Sequence, residues 1–443
     1  VNNSIAHSLP KSTRKERWAW YLYDFGNSAY AAVVLLAIYS AYFKGEVVGG
    51  ARGSELWGIA VAIAMLVVAV TSPILGTIAD FTGSKKRFLF FYTSMAIFFC
   101  GTLFFVQKGD VVLGMLLFIL AEIGYRSAQV FYNSLLPEIA GPEEISTVSG
   151  NGWAIGSAGG IICLVLVLAL IMFVGGDLVL RLSFIITSVY FTISAIPVFA
   201  WMRERAEPNK LPEGESVFSL AYKRLKKTIS SVRQFREFLK FIIAFLIYND
   251  GILMAMDFAA ILGAVLYGME QQELIVFMII VQVTSVIGAY LFGIIAQKMG
   301  GKNSLILSLV LMIGAAVWMY FNTSIVGFYW IGSLAGFALT GVQSVSRTLV
   351  GFFAPEGKSA EFYGFFAVAG RTSSFIGPAV FGLVAAQSTY WLIDTRGMNQ
   401  LVAEQTGHRV AVLSIVAFLV AGLILLLFVN EKKGIQEGAE VLP

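Results

Sequence analysis

Twelve long apolar runs, separated by short polar stretches, set the pattern of this chain. A bilayer core of ~30 Å needs about 20 apolar residues when crossed as a helix, the form that pairs every backbone group within the segment. The first six runs are Trp18 to Phe43, Glu55 to Ala79, Phe88 to Val106, Val111 to Leu136, Ile145 to Val174 and Leu180 to Met202. The second six are Phe241 to Leu266, Leu274 to Ala296, Leu305 to Phe321, Ile325 to Phe353, Phe362 to Ala386 and Val410 to Val429. The reading is an all-α membrane protein: a six-helix bundle over 1–202, a linker over 203–240 and a second bundle over 241–443.

Within the linker, Glu207-Pro208 through Gly214 reads as a loop. Beyond it, Phe218, Ala221, Leu225, Ile229, Val232, Phe235 and Leu239 recur at helical spacing among six basic residues. That pattern suits an amphipathic helix on a membrane face, with a docking site for a soluble partner as the alternative.

Composition removes other classes. Hydrophobic residues make up 58% and charged residues 13%, with a mean hydropathy of +0.79, which a soluble surface would not tolerate. With both termini in the cytoplasm, 22 of the 31 Lys and Arg fall on that side, 6 opposite and 3 within helices. This asymmetry orients the chain N-in and C-in, so the net charge of +4 reflects topology and not nucleic-acid binding. Cys100 and Cys163 lie in apolar runs, and His7 and His408 lie outside them, so no metal site is expected. No phosphate-cradling glycine motif is present, so ATP is not expected as the energy source. Neither a cofactor nor an enzymatic activity is expected. The polar, basic N-terminal tail runs into a helix too long for a cleavable signal.

A charge at the bilayer centre costs at least ~3 kcal/mol, so the charges inside the runs are the candidate chemistry. They are Asp24, Glu122, Asp250 and Asp257 against Arg126, Arg347 and Arg371. Helical spacing puts Glu122, Arg126, Gln129 and Asn133 on one stripe, and Thr340, Gln343, Ser344 and Arg347 on another. Asp24 shares a face with Asn27 and Ser28, and Asp250 with Asp257. Structural readings stand beside this one. Glu122 and Arg126, four apart, can neutralise each other, and Arg347 can snorkel.

The halves also repeat. Gly76-Thr-Ile-Ala-Asp80-Phe-Thr-Gly83-Ser-Lys85-Lys86-Arg87 returns, weakened, as Gly293-Ile-Ile-Ala-Gln297-Lys298-Met-Gly300-Gly301-Lys302. Tyr23-Asp24-Phe25-Gly26 matches Tyr248-Asn249-Asp250-Gly251, and Pro137-Glu138 matches Pro355-Glu356. The repeated loop resembles that between the second and third helices of the major facilitator superfamily. The resemblance implies twelve helices in two pseudo-symmetric six-helix bundles, solute binding near the midplane and a monomer as the default state. Asp80 is then expected to dock on the start of the eleventh helix near Glu361 and to pair with Lys85, Lys86 and Arg87. Gly76, Asp80, Gly83 and these bases would form a conformational latch, weaker in the second copy, where Gln297 replaces the acid.

Several segments resemble one branch, the autophagy-related vacuolar amino-acid effluxers of fungi and their bacterial relatives. They are Trp20-Tyr-Leu-Tyr23-Asp24-Phe-Gly26-Asn27-Ser28-Ala-Tyr30, Phe131 to Glu138, Tyr248 to Gly251, Gln343 to Arg347, and Glu361 to Gly364 with Gly377-Pro378. The resemblance implies a secondary transporter exporting small amino acids. The reading is an inner-membrane exporter of a small zwitterion coupled to protons or another ion, as symporter or antiporter. Arg126 and Arg371 are the candidates for a substrate carboxylate, because arginine offers a bidentate fork. Asp24 and Asp250 would take the amine or the coupling proton, with Asn27, Tyr248 and Asn249 beside them. A different class also fits the fold: a transporter-like receptor or assembly factor that moves no solute.

Overall fold

The computed structural model describes residues 12–48, 50–141, 143–174, 176–205, 235–269 and 271–440. Of the amphipathic helix expected over Phe218 to Leu239 in the linker, residues 218–234 lie outside them. Among the described residues every regular element is helical. The helices are α1 (Arg14–Tyr30), α2 (Tyr39–Tyr42), α3 (Gly50–Thr82), α4 (Lys85–Thr102), α5 (Val111–Ser134), α6 (Leu136–Ile139), α7 (Ile145–Phe173) and α8 (Asp177–Trp201). After the linker come α9 (Arg236–Tyr267), α10 (Gln271–Met299), α11 (Gly301–Phe321), α12 (Ile325–Phe353), α13 (Ser359–Arg396), α14 (Gln400–Leu427) and α15 (Glu431–Glu440).

Among the described residues, eleven spans are long and apolar enough to cross a membrane. The remaining expected run, Phe362 to Ala386, falls within the 38-residue helix α13. There the side chains of residues 371–375 lie outside the described residues. The first span is irregular. After α1 the chain takes π-helical turns over Ala31–Ala37 and Phe43–Val48, on either side of α2.

The chain divides into two compact units. The first holds Val1–Ile229 with Glu356–Phe365, and the second holds Ser230–Pro355 with Phe366–Pro443. In the first unit α1 packs on α7 and α8, while α4 packs on α5 and α8. In the second, α9 packs on α14, and α12 packs on α10 and α11. Gly26 and Gly251, matched in the repeat, both serve close helix contact. A Cβ on Gly26 would stand 2.6 Å from Ser194 Cβ, and one on Gly251 2.8 Å from Leu419 Cγ. With lipid outside, apolar contact with the solvent drives no association, so such close packing carries much of the cohesion.

Candidate functional site

The first unit brings α1 and α5 together around a buried ion pair. Arg126 donates from Nε to Glu122 Oε1 at 2.5 Å, one helical turn away. The Glu122 side chain is 0% exposed and that of Arg126 21% exposed, so the pair is sealed at the acid and open at the base. An isolated carboxylate at that depth would be expensive, and removing one partner of such a pair typically costs about 3–5 kcal/mol. The Arg126 guanidinium also lies 5.1 Å from the centroid of the Tyr125 ring, within cation–π range. Tyr125 stacks on Tyr30 with centroids 4.6 Å apart, and its hydroxyl accepts from Gln129 Nε2 at 3.0 Å. Glu122 Oε2, the Tyr30 hydroxyl and Asn27 Oδ1 are buried and have no hydrogen-bond partner among the described residues. Buried acceptors are normally satisfied, so this cluster is an exception that invites a function.

Asp24 is buried on α1 against α7. A Cβ on Gly156 would meet its carboxylate at 2.8 Å, so the missing side chain makes room for the acid. Tyr23, next in the motif, is buried and shares a 2.7 Å hydrogen bond with Thr93 Oγ1 of α4. Asn133 is half-buried at the far end of the α5 stripe.

In the second unit Asp250 is fully buried, and its Oδ1 accepts the backbone N–H of Gly377 at 2.9 Å. Its Oδ2 is buried and has no partner among the described residues. Asn249 Oδ1 accepts from Gln343 Nε2 at 3.3 Å, and the Tyr248 hydroxyl pairs with Ser346 Oγ at 2.7 Å. These contacts join α9 to α12. Arg347 is buried on α12, whereas Asp257, two turns beyond Asp250, is exposed. Arg371 lies on α13, and its side chain is outside the described residues.

The loop after α3 builds a second polar centre, wholly within the first unit because α13 begins there. Asp80 accepts the N–H of Ala360 at 3.1 Å and of Glu361 at 2.8 Å, a carboxylate seated on a helix N-terminus. Lys85 lies 3.2 Å from Asp80, 2.8 Å from Glu138 and 2.7 Å from Ser359 Oγ. Of the three bases, only Lys85 meets the acid. Lys86 turns its amine to the carbonyl of Met202 at 2.7 Å, and Arg87 is exposed. A Cβ on Gly76 would stand 2.5 Å from Ala360 O, so the approach of α3 to the start of α13 requires glycine. Gly83 adopts φ +57°, the left-handed region that a tight turn here uses.

Sequence reasoning missed a set of acids that clamp the helix ends. Glu16 forms a capping box with Thr13 and also accepts from Arg205, at 3.0 and 3.1 Å, and from the N–H of Arg203 at 3.2 Å. Glu138 takes the N–H of Arg205 at 2.9 Å. Glu204 accepts the N–H groups of Lys85 and Lys86, capping α4. The second unit repeats the device. Glu237 accepts the N–H of Asn430 at 2.7 Å, and Glu431 caps α11 through Gly301 and Lys302, both at 2.9 Å. The signal available was an acid in the first turn of α1 and of α9, and one directly after each unit's last long span. Burial raises the Glu204 carboxyl from its usual 4.5 to about 7, against the lowering effect of the two backbone N–H groups.

With this geometry in view, comparison with known proteins is direct. The family described as "Vacuole effluxer Atg22 like" matches residues 57–439. An uncharacterized MFS-type transporter of Bacillus subtilis, YxiO, is 27% identical, aligned over 96% of this chain and 97% of its own length. Autophagy-related protein 22-1 of Aspergillus niger is 25% identical over 58% of this chain, spanning only 45% of that longer protein. Among solved structures, a bacterial homologue of the iron transporter ferroportin, outward-facing, superposes with a TM-score of 0.70 at 15% identity, covering 94% of this chain and 99% of its own. The proton:xylose symporter XylE gives 0.66 at 13% identity, covering 95% and 96%. At such identities the solved structures speak for the fold alone, whereas the family match extends over most of the sequence. The chain is a multi-pass membrane transporter of the major facilitator superfamily and belongs to its Atg22-like vacuole effluxer family.

Proposed function

We propose that this protein is a proton-coupled secondary transporter that exports a small zwitterionic solute, such as an amino acid, by alternating access. The observation that carries the reading is the Glu122–Arg126 pair, in which a sealed acid fixes an arginine that remains partly open. Nε is spent on Glu122, which leaves the two terminal nitrogens of Arg126 as a fork for a carboxylate. Unpartnered acceptors at Glu122 Oε2, Tyr30 and Asn27 are the groups that the donors of an ammonium would meet. Asp24 and Asp250 are the candidates for the coupling proton. Asp250 supports that role best, because one carboxylate oxygen is anchored on Gly377 and the other is unspent.

Asp80, held on Ala360 and Glu361 and flanked by Lys85, would stabilise one state of the transport cycle. The bias of Lys and Arg along the sequence supports an N-in, C-in orientation, and the near-full-length Bacillus relative supports a bacterial inner membrane. The test is flux in liposomes. Protein loaded with a panel of amino acids should exchange one or a few of them, and an imposed pH gradient should drive net accumulation. Absence of exchange for every zwitterion in a protein that binds one stoichiometric protein partner would favour the receptor or assembly role instead.

A further inference from the structure

On the flank of the first unit, α4 and α8 leave a groove of about 730 Å³ between them, away from the polar cluster around Glu122. Its floor is made of small residues, among them Gly101, Ser188 and Ala195, and its lips are Phe90, Phe98 and Ile196, all more than half exposed. Of the hydroxyls along it, those of Thr93, Thr102, Ser188 and Thr192 are already used. Thr93 bonds Tyr23, Ser188 donates to the carbonyl of Ile97 at 2.8 Å, and Thr192 donates to that of Ser188 at 2.7 Å. The groove therefore offers an occupant shape and apolar contact along its length. From Phe90 to Thr102 it runs about 18 Å at 1.5 Å per residue, slightly more than one leaflet of a ~30 Å core.

One end of the groove is charged. Arg87 is exposed one helical turn before Phe90, on the same face of α4, and Arg203 is exposed three residues beyond Ala200, the last lining residue of α8. The two ends lie together, because Lys86 reaches the carbonyl of Met202 and Glu204 caps α4. Neither guanidinium has an ion-pair partner among the described residues. The neighbouring acids are engaged elsewhere: Glu204 on backbone N–H groups, Glu138 on Lys85 and Glu16 on Arg205.

We propose that this groove is a site for one anionic phospholipid, its acyl chain lying between α4 and α8 and its phosphate held by Arg87 and Arg203. A chain buried in a groove lined by hydrocarbon gains dispersion contacts, and two arginines at the headgroup level select net negative charge.

The test is native mass spectrometry of the delipidated full chain in detergent, titrated with palmitoyl-oleoyl phosphatidylglycerol or the matching phosphatidylcholine. The wild type should retain one phosphatidylglycerol in clear preference to phosphatidylcholine. Arg87→Gln and Arg203→Gln should each weaken that retention roughly fivefold, and the double variant about 25-fold. Ser94→Trp, and independently Thr192→Phe, fill the groove from exposed positions and should abolish retention with both arginines intact. Unchanged retention in the double arginine variant, or in a folded groove-filling variant, overturns the proposal. So does equal retention of the two lipids, or displacement by glycerol phosphate as effective as by the lipid. A groove-filling variant that converts a dimer to a monomer without losing lipid would make the groove a contact between copies and also refute the site.

Discussion

Lys86 and Lys302 hold equivalent stations in the two units. Lys86 donates its amine to the carbonyl of Met202 at 2.7 Å, just past the end of α8, and Lys302 donates to Leu427, the last residue of α14, at 2.8 Å. Beside each, an acid caps the helix on which the lysine sits: Glu204 on α4 and Glu431 on α11. A helix start and a helix end are thus tied twice, anion to the positive end and cation to the negative end.

The caps can be ranked. Glu431→Ala removes two backbone hydrogen bonds and should cost about 1 kcal/mol, in the usual range for a lost cap. Lys302→Met removes a solvent-exposed contact to a helix end and should cost less, a few tenths of a kcal/mol. Thermal midpoints of the detergent-solubilised variants test the order. A Glu431→Ala midpoint equal to the wild type would remove the cap from the account.

Glu204 makes one cap sensitive to pH. Its folded carboxyl is raised to about 7 by burial, above the usual 4.5, so the folded state holds the proton more tightly than the unfolded chain. The stability it contributes is therefore complete below 4.5 and lost as pH rises through about 7. Glu204→Gln should flatten the pH dependence of the thermal midpoint across that window. A slope identical to the wild type would show that Glu204 ionises elsewhere.

Asp80→Asn keeps the size of the side chain but removes the charge that faces two helix-terminal N–H groups and Lys85. If that charge is worth ~1–2 kcal/mol in one state, the ratio of inward- to outward-facing molecules should move roughly five- to thirtyfold. Gln297→Ala, at the exposed position of the weaker copy, should move it far less. Cysteine labelling or spin-probe distances at the loop ends measure both, and equal shifts would refute the asymmetry.

Asp250→Asn retains an oxygen for Gly377 and loses only the ionisable site. Solute exchange should survive while accumulation driven by a pH gradient disappears. Intact gradient-driven accumulation in this variant and in Asp24→Asn would take both acids out of coupling.

Arg126→Lys keeps the charge near Glu122 but cannot supply the fork. Loss of a charged hydrogen bond of about 1–3 kcal/mol predicts solute affinity weaker by roughly 5- to 150-fold. Wild-type affinity in this variant would remove Arg126 from recognition.

The spans were legible because membrane-length apolar runs leave little choice of structure. The Glu122–Arg126 pair was legible as spacing on one helix. Long-range pairings were harder. The sequence aligns Pro137-Glu138 with Pro355-Glu356, yet Glu138 binds Lys85 and the N–H of Arg205, whereas Glu356 is exposed. Likewise Tyr23 and Tyr248 are matched by the repeat but bond to helices of different rank, through Thr93 and Ser346. Periodicity reports the face of a helix, and only packing decides which neighbour that face meets. The short helix α15 was missed because its ten residues carry charges that read as a polar tail. Its order comes from contact, with Gly434 set against Phe353 and Glu437 accepting the N–H of Glu237 at 3.0 Å.

The π-helical turn over Ala31–Ala37 stands between two anchors of the first span. Tyr23 is fixed to Thr93 on α4, and Tyr39 donates to the carbonyl of Gly114 on α5 at 2.9 Å. Sixteen residues of regular α-helix would place those tyrosines about 160° apart, and one supernumerary residue brings them back by about 100°. The stretch Ala-Ala-Val-Val-Leu-Leu-Ala therefore acts as a spacer whose information lies in its length. Swaps at its half-buried Ala31, Ala32 and Leu35 should pass unnoticed, while deleting a single residue would set the two tyrosines against each other.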